Sequence, residues 1–90
     1  MPRSAPLALV SLTPDAARDF DALPRTIKAR VLQVFERLQT WPSVSGAKPL
    51  RGDLAGKFRM RTGDYRVQFH VRGERVIIGR ISHRAGFYET

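Results

Sequence analysis

Arginines in the C-terminal half of the chain alternate with apolar residues in a way that could place several cations on one surface. The segment Lys57–Arg61 reads KFRMR, and residues 66–70 read RVQFH. Both have the period of a strand with one buried face, so the other face would carry Arg59, Arg61 and Arg66. A guanidinium binds phosphate through two hydrogen bonds. This set is therefore suited to hold a phosphodiester and to stabilise the charge that develops when it is cleaved.

Proton transfer needs a different side chain, because arginine stays protonated. Imidazole is the group that changes protonation near neutral pH, and the chain has two histidines, His70 and His83. If RNA is cleaved through its own 2′-hydroxyl, His83 is the better candidate, since a histidine in mid-strand is more often structural. Arg84 beside it is a candidate phosphate contact, and Tyr88 is a candidate for stacking on a base.

The distribution of charge supports a polyanionic partner. Sixteen Lys and Arg against eight Asp and Glu give a net charge of +8, and residues 48–84 hold ten basic and three acidic side chains. Such a cluster suits nucleic acid most simply, although an acidic protein would satisfy the same field. A basic surface that only aids solubility is the alternative. We predict RNA contacts at Lys48, Arg51 and Lys57.

Other classes of site have little support. The chain has no cysteine, and its two histidines lie thirteen residues apart, so we expect neither a metal site nor a cofactor. The glycine-containing residues 52–56 lack the lysine and the following helix of a phosphate-binding loop. No segment resembles a signal peptide or a membrane span of about 20 apolar residues. We therefore expect a cytoplasmic protein without a membrane partner.

Two helices precede the basic segment. A short strand is predicted over Leu7–Leu12, and Thr13 followed by Pro14 is typical of a helix start. This helix should end before Pro24, which can open a second helix. Apolar residues then recur at spacings of four and three as far as Trp41, which is the stripe of an amphipathic helix on a core.

Three strands follow, separated by turns at Gly63 and Gly73. They are predicted over Lys57–Arg61, Tyr65–Val71 and Arg75–Ser82, antiparallel to one another. The fold class is therefore α+β, with the order βααβββ. An N-terminal strand and a two-helix hairpin accompany an antiparallel sheet of about four strands, in a single domain over residues 1–90. The sheet face away from the helices would carry the arginines.

The segment from Lys48 to Tyr88 resembles the C-terminal half of the RelE/ParE superfamily of toxins from bacterial type II toxin–antitoxin systems. The resemblance rests on K-x-L-x-G at residues 48–52, R-x-G-x-Y-R at residues 61–66, and V-x-I-x-x-x-x-H-R-x-x-x-Y at residues 76–88. The N-terminal half is similar in layout, so the resemblance covers nearly the whole chain.

This resemblance implies a toxin with a cognate antitoxin as partner. RelE-like members are ribosome-dependent endoribonucleases that cleave mRNA, and their active residues fall on Arg59, Arg61, Arg66, Arg84 (or His83) and Tyr88. The second-strand pair is lysine in the RelE pattern, so where a lysine must lose a proton, His83 would take that role here. ParE-like members share the fold and inhibit DNA gyrase. A toxin-derived binding module without activity is the third alternative.

Overall fold

A computed structural model describes residues 7–83 of the chain, which form a mixed sheet with two helices. The strands are β1 (Leu9–Leu12), β2 (Lys48–Pro49), β3 (Lys57–Thr62), β4 (Tyr65–Arg72) and β5 (Arg75–His83). The helices are α1 (Pro14–Asp21) and α2 (Arg25–Leu38), and a short 3₁₀ turn covers Gly52–Leu54. Neither helix of this part of the chain is long and apolar enough to cross a membrane.

The sheet has five strands in the order β1-β5-β4-β3-β2. The predicted α+β class with a two-helix hairpin is confirmed, but the sheet was expected to have about four strands and to be antiparallel. The fifth strand is β2, which pairs over two residues only and is too short to show a period in the sequence. In addition, β1 runs parallel to β5. The helical hairpin carries the chain from β1 to the opposite edge of the sheet, and the antiparallel strands β3, β4 and β5 bring it back beside β1.

The helix boundaries follow from local chemistry. The hydroxyl of Thr13 accepts a hydrogen bond from the Ala16 amide at 3.1 Å and so caps α1, whose first residue is Pro14. Helix α2 begins at Arg25 and ends at Leu38, before the predicted end at Trp41. The residues that follow form turns ahead of Pro42, since proline disfavours the helical conformation of the residue before it.

The core lies between the helices and one face of the sheet. The apolar stripe of α2 is buried at Val31, Val34 and Leu38, as its spacing predicted. The sheet contributes a matching set of buried side chains: Met60, Val67, Phe69, Val76, Ile78 and Ile81. Trp41 packs edge-on against Phe69, with ring centroids 5.5 Å apart. Because strand side chains alternate between faces, the residues between these sheet positions point away from the helices.

The edge of β5 extends beyond β1 and is closed by side chains of the first helical segment. Strand β1 ends at Leu12, opposite Ile78, whereas β5 continues to His83. The Thr13 hydroxyl donates to the Gly79 carbonyl at 3.2 Å. The Asp19 carboxylate accepts from the Ile81 amide at 2.9 Å. Both backbone groups thus obtain partners where the strand pairing stops.

Candidate nucleic-acid interface

The pairing of the strands arranges cations in rows across the sheet face that points away from the helices, which we call the basic face. In one row Lys48 lies opposite Arg59, which lies opposite Gln68; Gln68 in turn lies opposite Arg80. Residues paired in this way have Cβ atoms about 4.5–5.5 Å apart. The row therefore brings cations from β2, β3 and β5 onto one surface.

Two further rows flank the first. Arg61 lies opposite Arg66, and Arg66 lies opposite Ser82. On the other side Lys57 lies opposite His70. The structure thus brings together the predicted residues of β3 and β4. The β4–β5 pairing is irregular between Gln68 and Phe69, which leaves Gly79 as an extra, unpaired-in-register residue of β5. Because of this extra residue, Arg80 points to the basic face and Ile81 to the helices.

Arg66 differs from its neighbours on the basic face because it is buried. The sequence predicted a functional position on the open face of the sheet, yet Arg66 is only 5% exposed and makes further contacts within the molecule. A guanidinium this deeply buried requires partners, since an unpaired buried charge is strongly unfavourable. Arg66 is therefore a fixed charge beneath the surface, whereas Arg61 opposite it is exposed and can reach a ligand directly.

A groove of about 250 Å³ lies at the β3 edge of the basic face. It is lined by Arg37 of α2, Gly46 of the following loop, Lys48 of β2, and Arg59, Met60 and Arg61 of β3. Sequence reasoning missed Arg37, because it is one of several charged residues on the exposed side of an amphipathic helix and nothing in the pattern sets it apart. Only the folded chain shows that the last turn of α2 borders the strand.

Arg80 is held at the opposite side of the sheet by a carboxylate. Its Nε donates to Asp19 Oδ2 at 2.9 Å, and this hydrogen bond, together with the attraction of the Asp19 charge, raises the pKa of Arg80 above its usual value. The side chain is still 56% exposed. Arg80 therefore extends the basic face towards β1, but with part of its charge offset by Asp19.

The two histidines lie on different sides of the sheet. His83 is opposite Tyr65, which belongs to the helix-facing set, and the two rings make an edge contact with centroids 5.1 Å apart. The structure thus does not bring His83 together with Arg59, Arg61 and Arg66. His70, the less favoured candidate of the sequence, is the histidine on the basic face, where it is half-buried.

The remaining predicted residues are placed as follows. Lys57 is half-buried on the basic face, while Arg51 is exposed at the start of the 3₁₀ turn and does not line the groove. Arg84 and Tyr88 lie outside the described residues. Within residues 7–83, no three potential metal-ligating side chains come together.

Comparison with known proteins shows what this arrangement is similar to. Residues 10–88 match the family model described as ParE toxin of type II toxin–antitoxin system, parDE. A curated relative, toxin RelG of Mycobacterium tuberculosis, is 42% identical over 82 residues, which cover 88% of this chain and 93% of the relative.

Solved structures agree with this match. The toxin–antitoxin complex RelBE2 of M. tuberculosis contains a chain with a TM-score of 0.78 and 37% identity, covering 92% of this chain and 97% of that one. The RelB–RelE complex of Methanococcus jannaschii gives a TM-score of 0.72 and 25% identity, covering 87% and 94%. The fold and the order of its elements are those of these toxins.

Proposed function

Since the chain belongs to the RelE/ParE superfamily of toxins from type II toxin–antitoxin systems, we propose that it is an endoribonuclease that cleaves mRNA on the ribosome. The observation that supports this most is the basic face. Its cations are arranged in rows by the strand pairing rather than scattered over the surface. Fixed cations of this kind bind phosphates and stabilise charge that develops on them.

The reaction that suits these groups is transfer within the RNA itself. The 2′-hydroxyl gives up its proton to a base as its oxygen attacks the neighbouring phosphorus, the bond from phosphorus to the 5′-oxygen breaks, and the 5′-oxygen takes up a proton from an acid. The products are a 2′,3′-cyclic phosphate and a 5′-hydroxyl end. Arg59 and Arg61 would hold the phosphate oxygens, while the buried guanidinium of Arg66 would stabilise the negative charge of the transition state. Donors positioned in advance for that charge act without reorganising during the reaction.

The proton transfers of this reaction need a general base and a general acid near the phosphate. His83 and Arg84 remain the residues predicted from the sequence, and Tyr88 the predicted stacking residue. His70 joins them as a candidate because it lies on the basic face. Rate profiles against pH separate the two imidazoles: a variant that loses the acting group loses the corresponding limb of the profile, and the other variant retains it.

Primer extension on an mRNA under translation tests the proposal directly. Expression of the toxin should produce new 5′ ends inside the message. The Arg59→Ala/Arg61→Ala variant, expressed at the same level, should produce none above background. An intact message in cells whose growth has stopped would contradict the proposal.

Inhibition of DNA gyrase is the second candidate function, because the family model that matches residues 10–88 is that of ParE toxins. Supercoiling by purified gyrase separates the two. We expect supercoiling to continue unchanged in the presence of the protein. Inhibition at stoichiometric amounts, with mRNA left intact, would favour gyrase; unaffected growth of expressing cells would favour a binding module without activity.

We also propose a cognate antitoxin as the protein partner. The M. tuberculosis and M. jannaschii relatives were solved as toxin–antitoxin complexes. The net charge of +8 would speed the encounter with an acidic antitoxin, and this contribution should decrease with salt. Co-purification with the product of a neighbouring reading frame, together with loss of toxicity on co-expression, tests this partner.

A further inference from the structure

The groove beside β3 exists because the sheet edge is only partly covered. Strand β2 pairs with Phe58 and Arg59, whereas β3 continues to Thr62. Beyond Arg59 the strand borders the groove, with the last turn of α2 on the other side. We propose that this groove binds a second phosphate of the mRNA, adjacent to the one that is cleaved, and that Arg37 is its main contact from the helical layer. This inference rests on the proposed function.

The charges around the groove favour an anion as its occupant. Among the described residues that line it, four are cationic and none is a carboxylate: Arg37, Lys48, Arg59 and Arg61. Like charges gathered around a concave surface repel one another and raise the local concentration of anions. The volume of about 250 Å³ is below the roughly 300–1,000 Å³ of pockets for whole small molecules. The groove is therefore better suited to one phosphodiester group of a longer strand than to a whole small molecule.

Arg37 is held in place before any ligand binds. Its Nη2 donates to the carbonyl oxygen of Ser45 at 2.7 Å, which fixes the guanidinium against the loop between α2 and β2. Gly46 adopts a φ of +91°, and a Cβ built there would lie 3.7 Å from the same Nη2. A side chain fixed in this way loses less freedom on binding. Because Arg37 comes from the helical layer, an RNA that contacts it must bend around the β3 edge.

A purely structural role for Arg37, as a clamp on the loop, is the competing explanation. The two differ in what they predict for single phosphates of the mRNA. An mRNA with a 2′-O-methyl group at the cleaved position lacks the attacking hydroxyl, so ribosomes programmed with it should bind the toxin without reaction. In this mRNA one phosphate at a time can be replaced by an uncharged methylphosphonate, and the toxin affinity measured for each.

We expect Arg37→Gln to weaken binding to the fully charged mRNA about tenfold, as for loss of a charged hydrogen bond. The same substitution should change binding less than about twofold when one particular phosphate, next to the cleaved one, is neutral. Arg37→Lys should recover part of the affinity. The matched control is Arg25→Gln, which removes one charge from the exposed first turn of the same helix and should leave the affinity within about twofold.

The possible failures are distinguishable. If the wild-type toxin neither binds programmed ribosomes nor cleaves mRNA, the proposed function itself is wrong. If it cleaves, but Arg37→Gln behaves like Arg25→Gln or has the same effect at every methylphosphonate position, the phosphate site at the groove is wrong. If Arg37→Gln weakens binding to the antitoxin but leaves binding to the mRNA unchanged, Arg37 serves the protein partner instead, and the inference is wrong.

Discussion

The two edges of the sheet are finished in opposite ways. At the β5 edge, where β1 stops short, Thr13 and Asp19 supply partners for the backbone of Gly79 and Ile81. At the β3 edge, where β2 stops short, a groove begins, and Arg37, Arg59 and Arg61 border it. Both edges arise from a short neighbouring strand, but one is closed by hydrogen bonds and the other borders a basic groove.

From this difference we expect the two edges to have different roles, the β5 edge in stability and the β3 edge in binding. Polar side chains at the β5 edge satisfy backbone groups and hold α1 on the sheet, so they contribute to stability. Cations at the β3 edge should add little to stability, since like charges repel, and we propose that they bind a ligand that carries negative charge. Substitutions at the β5 edge should therefore act on stability, and substitutions at the β3 edge on activity.

The largest effect is expected at the β3 edge. Arg59→Ala/Arg61→Ala should lower the rate of mRNA cleavage by a factor of about 100 or more, since loss of one preorganised donor alone costs roughly 10²–10³. The melting temperature should change by only a few degrees. The control is Arg25→Ala/Arg30→Ala, an exposed pair on α2 and away from the basic face, with cleavage expected within about threefold of wild type. An equal loss of cleavage rate in both variants would show that the β3 edge has no special role in activity.

At the β5 edge the largest effect is expected from Asp19→Ala. It removes the acceptor of the Ile81 amide and the partner of Arg80, and should lower the free energy of unfolding by about 1.5–3 kcal/mol. Most of this comes from the amide, because the ion pair with the exposed Arg80 is screened by solvent. Urea unfolding measures it, with Asp21→Ala at the exposed end of α1 as control, expected within about 0.5 kcal/mol.

Thr13 should have a smaller effect at the same edge. Thr13→Ala removes the cap of α1 and the bond to the Gly79 carbonyl, which should cost about 1 kcal/mol of unfolding free energy. Thr13→Ser keeps the hydroxyl and should stay within a few tenths of a kcal/mol of wild type. If serine destabilises as much as alanine, the hydroxyl is not the stabilising group.

The smallest effect is expected for a pair away from both edges. Arg18 and Asp15 form an ion pair on α1 in which both side chains are mostly exposed. Arg18→Ala should change the unfolding free energy by less than about 0.5 kcal/mol and should leave mRNA cleavage unchanged. A loss of cleavage in this variant would show that positive charge anywhere on the surface affects the reaction.

Periodicity in the sequence was sufficient to predict the elements that make the core. The alternation around Met60, Val67 and Phe69 and the stripe of α2 are both buried as predicted, because burial of apolar faces is what these periods encode. Placing Arg59 and Arg61 on the opposite face follows from the same alternation. For all of these residues, the face that the side chain occupies follows from the local sequence pattern alone.

What the sequence could not show depends on contacts between distant segments. The two residues of β2, the parallel pairing of β1, the position of Arg37 at the groove and the bond from Asp19 to Ile81 all join parts of the chain that are far apart. His83 was separated from the arginines by the irregularity in the β4–β5 pairing together with its register opposite Tyr65. Burial of Arg66 likewise has no signal in an alternating polar position.

The most direct test uses purified ribosomes programmed with a short mRNA, with the chemical nature of the product ends as the readout. If the basic face cleaves RNA as proposed, the products should carry a 2′,3′-cyclic phosphate and a 5′-hydroxyl. Cleavage should be lost when the single nucleotide before the cut lacks its 2′-hydroxyl, or when the toxin carries Arg59→Ala/Arg61→Ala. Undiminished cleavage by that variant, or an mRNA left whole by the wild-type protein, would contradict the assignment of the basic face as the RNA-cleaving surface.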